Sequence, residues 1–226
     1  IDDKTPTAAE EIWDGLDTDG TNGAYGLVGA AGASGVFNYI NTFSGVTLNA
    51  AARKGSGAKN ADGASSGAGQ SAWDFALTTD GSSMGVDGLA IGAGYGEAEG
   101  GSEAGTRPGG EDEHATVFAN YSFGPATVGY QLSHINKGGS GSTDQEVHAW
   151  GLAFNVNEDL SISYGERDVE FLKPSAAHVE ESGEGIAIAY TMGSMKIAGN
   201  RNKVDNNDGT AGSSDEMTEI AVSFAF

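Results

Sequence analysis

Glu216-Met-Thr-Glu-Ile-Ala-Val-Ser-Phe-Ala-Phe226 ends the chain on a strict alternation. Ile220, Val222, Phe224 and Phe226 fall on one face of an extended segment, and Glu219, Ala221, Ser223 and Ala225 fall on the other, because strand side chains alternate with period 2. The stretch predicts a closing β-strand with one apolar face and an aromatic terminus. An ordinary β-sandwich could end in the same way, so the remainder of the chain has to decide between the two.

Working upstream, alternating segments of roughly ten residues recur, the length a tilted strand needs to cross a bilayer. About eleven are predicted, near 35–41, 45–53, 71–79, 86–96, 114–123, 126–136, 145–156, 159–170, 182–192, 195–204 and 215–226, from alternation bounded by Gly, Pro, Asn and Asp. Short turns at Thr42-Phe-Ser-Gly45, Asp80 to Gly85, Gly124-Pro125, Asn157-Glu-Asp159 and Gly193-Ser194 alternate with longer Gly/Ser/Asp-rich loops near 54–70, 97–113, 137–144, 171–181 and 205–214. A sandwich has no reason to keep every second connection short, whereas an outer-membrane barrel does. Pro6, Pro108 and Pro174 fall in loops and Pro125 in a tight turn, none inside a strand. Trp73, Phe75 and Leu77 share a face opposite Asp74 and Thr78, while Val128, Tyr130 and Leu132 oppose Thr127, Gln131 and Ser133. The second face is small, hydroxyl-rich and sparsely charged, as a wet interior wall would be.

Composition narrows the function. Asp+Glu 32 against Lys+Arg 11 gives a formal charge of -21, which argues against nucleic-acid binding, since phosphate neutralisation needs a basic surface. The 37 glycines are spread between strand-like runs, so they mark turns and close approaches rather than a disordered tract. Absence of Cys excludes disulfides, thiol catalysis and Cys-based zinc or iron–sulfur sites. The charge-poor windows Gly20 to Ala52 and Ala115 to Ser133 are long enough for a membrane helix, but Gly, Asn, Ser, Thr and Pro125 break them and their period is 2. The opening Ile1-Asp-Asp-Lys4 carries no signal-peptide pattern and reads as the inside of a loop, so the sequence is expected to be a mature protein or a piece of one. Gly92-Ala-Gly94-Tyr-Gly96 sits in a strand pattern without a following helix and is not a dinucleotide loop. His114, His134, His148 and His178 form no catalytic order, and no enzymatic activity is expected.

Phe37-Asn38-Tyr39-Ile40-Asn41-Thr42-Phe43-Ser44-Gly45-Val46-Thr47-Leu48-Asn49-Ala50, together with the aromatic terminus, resembles the hairpin that follows the constriction loop of general diffusion porins of Gram-negative bacteria, most closely those of α-proteobacterial type. The resemblance implies a transmembrane antiparallel β-barrel, sixteen-stranded when complete. Residues 1–33 would be the constriction loop folded into the pore, and 34–226 the C-terminal part of the barrel. About eleven strands plus that loop match the C-terminal two-thirds of such a protein, so some five strands are expected upstream of Ile1. It further implies a homotrimer in the outer membrane, in contact with its lipid and lipopolysaccharide, with the C-terminus toward the periplasm. The channel would pass small hydrophilic solutes and ions by passive diffusion with mild cation selectivity.

Within that resemblance Glu10, Glu11, Asp14, Asp17 and Asp19 form an acidic rim on the constriction loop. Arg53, Arg167, Lys196 and Arg201 are the wall cations that would face it across the pore, setting a transverse field. By parity Arg53 and Arg167 lie on the polar face of their strands, whereas Arg201 shares parity with Ile197. Asp17, Asp19 and Asn22 place oxygen ligands at spacing that suits Ca²⁺, without the downstream bidentate Glu of an EF-hand. A calcium-stabilised extracellular β-protein, such as an adhesin or surface-layer module, is the competing reading; the tandem glycine–aspartate repeats that would mark it are absent.

Overall fold

The computed structural model describes residues 4–9, 16, 36–54, 71–99, 111–137 and 143–225. The eleven expected strands are present: β1 (Val36–Phe43), β2 (Val46–Arg53), β3 (Ala72–Asp80), β4 (Leu89–Glu99), β5 (Glu111–Phe123), β6 (Ala126–Lys137), β7 (Asp144–Asn155), β8 (Leu160–Leu172), β9 (Val179–Met192), β10 (Met195–Asp205) and β11 (Ser214–Phe224). They form one antiparallel sheet in simple sequence order from β1 to β11. Among the described residues β1 and β11 are its two edges. Phe226 lies outside the described residues, and none of the described helical segments is long and apolar enough to cross a membrane, which leaves crossing by strands open.

Turn chemistry sets the register. Ser44 and Gly45 both take positive φ, 50° and 83°, the two-residue turn whose twist matches the flanking strands, so Phe43 pairs with Val46 and Val36 with Arg53. Gly124 at φ 57° precedes Pro125 in the β5–β6 turn. On the long-loop side the strands run further than alternation alone indicates. β5 starts at Glu111 and β9 at Val179, because Glu and Ser residues that read as loop continue the ladder.

Register divides every strand into a covered and an exposed face. In β9, Glu181, Gly183, Gly185, Ala187 and Ala189 are buried while Ile186, Ile188 and Tyr190 are exposed. The same division holds in β6 to β8. The buried set contains Thr116, Gln131, Ser133, Gln145, Ser163, Arg167, Asn200 and Asn202, whereas Trp73, Phe75, Leu132, Leu152, Phe154, Ile162, Ile220 and Phe224 are exposed. A water-soluble sheet hides its large apolar side chains; here they form the outer surface, the arrangement that a hydrocarbon solvent favours. Glycines at 92, 94 and 96, the motif set aside above, lie on the covered face of β4, where the Phe118 ring occupies the space a side chain at Gly92 would need.

Ile188 sits in the exposed apolar band between Ile162 and Gly199. Ile188→Arg is expected to lower folding stability in lipid vesicles by about 2–4 kcal/mol, and Ile188→Leu to leave it nearly unchanged. Urea titration of vesicle-embedded protein measures both.

Candidate functional site: the covered wall and the segment docked on it

Four glycines stand side by side across four strands. Gly129 of β6 pairs with Gly151 of β7, Gly151 with Gly165 of β8, and Gly165 with Gly185 of β9. Asn120 of β5 and Asn202 of β10 flank the row in the same register. With no side chains the wall has a trough about one side-chain layer deep, and the backbone of residues 4–9 lies in it. A Cβ at Gly151 would come 2.8 Å from the Pro6 carbonyl oxygen, and one at Gly129 would run into the Pro6 ring. Close approach of two backbones is what glycine permits here.

Polar groups on either side of the trough hold the segment. The Lys4 N–H donates to Gln131 Oε1 at 2.9 Å, and Asn120 Nδ2 donates to the Lys4 carbonyl at 2.6 Å. At the other end the Ala8 N–H donates to Ser163 Oγ at 2.8 Å. Gln131 is itself oriented, since its Nε2 donates to Thr116 Oγ1 at 3.1 Å, and that hydroxyl lies 2.7 Å from Ser133 Oγ. Between segment and wall, Thr5, Thr7, Ser163 and Asn202 line a void of about 10 Å³, the size of one water.

One step toward the long loops, Arg167 Nη1 meets Glu181 Oε1 at 3.1 Å with both side chains almost fully buried. Glu181 Oε2 also accepts from the Asp208 N–H at 2.8 Å, so one carboxylate ties the wall to the β10–β11 connection. That connection folds over the wall: Gly209 rests on the Phe171 ring, Lys173 Nζ donates to the Gly209 carbonyl at 2.8 Å, and Asn206 Nδ2 donates to the Glu180 carbonyl at 2.9 Å. Asn206 and Asp208 take left-handed backbone, φ 55° and 52°, which Asn and Asp tolerate better than most residues. Beneath them Val147, Val169 and Phe171 form an apolar cluster on the covered face.

Of the expected wall cations, Arg53 lies on the covered face of β2, opposite Ala72. Lys196 is on the covered face at the short-turn end of β10, exposed and opposite Thr191 and Ser223. Arg167 is on the covered face but is closed off in its pair with Glu181. Arg201 does not belong to the set. It shares the exposed face with Ile197, is 65% exposed, and donates from Nη2 to Glu216 at 2.5 Å, because one residue of register separates it from Asn200 and Asn202. Glu10, Glu11, Asp14, Asp17, Asp19 and Asn22 lie outside the described residues, as does most of the expected loop over 1–33, of which residues 4–9 and the buried Leu16 are described. The glycine row is not legible in the sequence because its members are four isolated glycines in four segments; only register brings them together. The buried Glu181 was hidden for the same reason.

A family model for Gram-negative porins matches residues 1–226. The chain belongs to the Gram-negative porin family. Solved porins share its fold. The anion-selective porin from Comamonas acidovorans superposes with a TM-score of 0.66 at 14% identity, over 84% of this chain and 59% of that one. A porin refined at 1.8 Å gives 0.63 at 13% identity, over 84% and 61%. OmpT of Vibrio cholerae gives 0.57 at 12% identity, over 83% and 61%. No curated protein matches the sequence. The chain thus spans about 60% of the length of the solved porins it resembles. In a porin the apolar face meets lipid and the polar face lines the lumen; the glycine trough and residues 4–9 are on the covered, polar face of this sheet.

Two outcomes follow from this geometry. Gly151→Val should displace residues 4–9 and speed tryptic cleavage after Lys4 by about tenfold, in line with the usual cost of overpacking, whereas Gly183→Ala, where a Cβ meets only ordinary contacts, should not; timed proteolysis with mass analysis reads both. Glu181→Gln strands a buried guanidinium and should cost about 3–5 kcal/mol, with most of the loss recovered in the Arg167→Met/Glu181→Gln double variant, as judged by urea unfolding in vesicles.

Proposed function

We propose that this chain is the larger part of a water-filled outer-membrane channel that passes small hydrophilic solutes and ions by passive diffusion. The observation that carries this reading is the inverted sheet with a main-chain segment docked across its lumen wall. A sheet that is polar inside and apolar outside makes a pore, and a segment held at mid-wall narrows it, so passage is governed by size at that level and by the charges nearby. No bond of the solute is made or broken. Strands outside this chain complete the barrel by pairing with β1 and β11, sixteen in all, with the short turns and C-terminus on the periplasmic side. The complete channel works as a homotrimer.

Mild cation preference is part of the proposal. Register puts Asp74, Asp112, Asp215 and Glu219 on the lumen face. Opposing them are Arg53, Lys137 and Lys196, while Arg167 is neutralised by Glu181. Glu10, Glu11 and Asp14 of the constriction loop add to the acidic side, and the Asp17, Asp19 and Asn22 oxygens offer Ca²⁺ a place in that loop. A porin of the same fold is described as anion-selective; the cation preference proposed here rests on this chain's own acidic residues alone. No observation favours a calcium-stabilised adhesin or surface-layer module.

The full-length protein in planar bilayers should give stepwise conductance, and its absence rules the channel out. Joint neutralisation by Glu10→Gln, Glu11→Gln and Asp14→Asn should move the reversal potential in a salt gradient toward that of a non-selective pore; an unmoved potential removes these carboxylates from the constriction.

A further inference from the structure

β10 and β11 pair as far as Asp205 and Ser214, and a two-residue turn would suffice to join them there. The chain instead uses residues 206–213, and these lie sideways on the covered face, across β9 toward β8. The Asp208 N–H donates to Glu181 Oε2 of β9 at 2.8 Å, and Asn206 Nδ2 donates to the Glu180 carbonyl at 2.9 Å. Lys173, just past β8, donates from Nζ to the Gly209 carbonyl at 2.8 Å. Gly209 is buried against the Phe171 ring of β8, where a Cβ would come 2.7 Å from Cγ. Neighbouring strands lie about 4.8 Å apart, so the connection reaches about 10 Å along the wall from its root in β10.

The connection is also braced within itself. The Gly212 N–H donates to Asn206 Oδ1 at 2.9 Å, the Asn207 N–H to the Ser213 carbonyl at 3.2 Å, the Thr210 N–H to the Asn207 carbonyl at 3.0 Å and the Ser213 N–H to the Thr210 carbonyl at 3.1 Å. Asn206 and Asp208 take positive φ, and left-handed backbone at residues other than glycine persists where the surroundings hold it. Here the surroundings are the wall itself, through Glu181 and Phe171. Thr210, Ala211 and Gly212 form the exposed side and are small and uncharged. None of these contacts is needed to hold the strands, since β8 to β11 already pair along their length. Their effect is to keep a braced piece of chain across the wall at its long-loop end, beyond the glycine trough.

We propose that residues 206–213 are a strap that narrows the long-loop mouth of the channel, in series with the segment docked at mid-wall, and that the Glu181 carboxylate anchors it. The two narrowings differ in construction. Residues 4–9 lie backbone to backbone in a trough that glycines open for them, whereas the strap is held by side chains: one carboxylate, one ammonium, one amide and one aromatic ring. It can therefore leave the wall without breaking a strand pair, and the mid-wall segment cannot be reached by solutes from the long-loop side without passing it. With small uncharged residues turned outward, the strap sorts by size, and charge sorting is left to the wall below. This rests on the reading of the covered face as the wall of a water-filled channel.

The test uses the full-length protein in planar bilayers, with neutral polymers of graded size added to one side at a time. In a variant whose residues 206–213 are replaced by Asn-Gly, the pair that a two-residue hairpin favours, conductance should rise about 1.5-fold. Larger polymers should then enter from the long-loop side, while entry from the short-turn side stays as in the wild type. A second variant keeps the strap and makes its contact switchable. The chain has no Cys, and a β-carbon at 209 falls close enough to that of Phe171 for a disulfide, which needs about 3.5–4.5 Å. Phe171→Cys/Gly209→Cys should conduct like the wild type when oxidised and like the shortened variant when reduced, because Cys holds the φ of 64° at position 209 less readily than glycine. Arg167→Met/Glu181→Leu removes the anchor without stranding a buried charge and should shift polymer entry in the same direction. Unchanged conductance and polymer entry in the shortened variant, no response of the cysteine pair to reduction, or an equal change from both sides would each overturn the proposal. Stepwise conductance of the wild type reports separately on the channel, so a conducting protein indifferent to these changes counts against the strap alone.

Discussion

Everything in this structure depends on the backbone ladder. In hydrocarbon an unpaired N–H or C=O costs several kcal/mol, and only helices and closed sheets satisfy all of them. The eleven strands meet that demand pairwise, each with its sequence neighbour. Side chains are thereby released from the task of holding the sheet together, and the exposed face carries isolated Ile, Leu, Val and aromatic residues where a soluble protein would need a packed core. The lumen wall can then be built from Thr, Ser, Asn, Gln and Gly. Some large apolar residues do face inward: Val147, Val169 and Phe171 cluster where the β10–β11 connection folds over the wall, and Phe118 covers Gly92.

The same constraint makes edges matter. β1 and β11 are the edge strands of the described sheet, and a bilayer does not accept an open sheet edge. An antiparallel meander closes by joining its first and last strands, and β1 and β11 are not paired with each other in the described sheet. Solved porins of this fold are longer, and the chain spans about 60% of their length.

Most of the architecture was legible because it is written in local signals. Alternation with period 2 located all eleven strands, and turn chemistry such as Ser44-Gly45 and Gly124-Pro125 fixed which connections were tight. Strand ends on the long-loop side were less legible, because acidic residues such as Glu111 and Glu180 continue a ladder as readily as they enter a loop. Parity puts Arg53 and Arg167 on the polar face, where the structure has them, and puts Arg201 with Ile197 on the exposed face, where it pairs with Glu216. What one sequence could not show was coincidence between strands. Gly129, Gly151, Gly165 and Gly185 are unremarkable until register aligns them, and Glu181 read as a loop carboxylate until β9 was seen to begin at Val179 and turn it inward onto Arg167.

The glycine trough has a consequence for how an aperture is set. Most protein openings are bounded by side chains, whose rotamers hop and blur the edge. Here, along the docked stretch, the boundary is main chain lying on main chain, stiffened by Pro6 and bonded at both ends. In the proposed channel an opening framed in this way is bounded by main chain, whereas the charges around it belong to side chains that single substitutions can change.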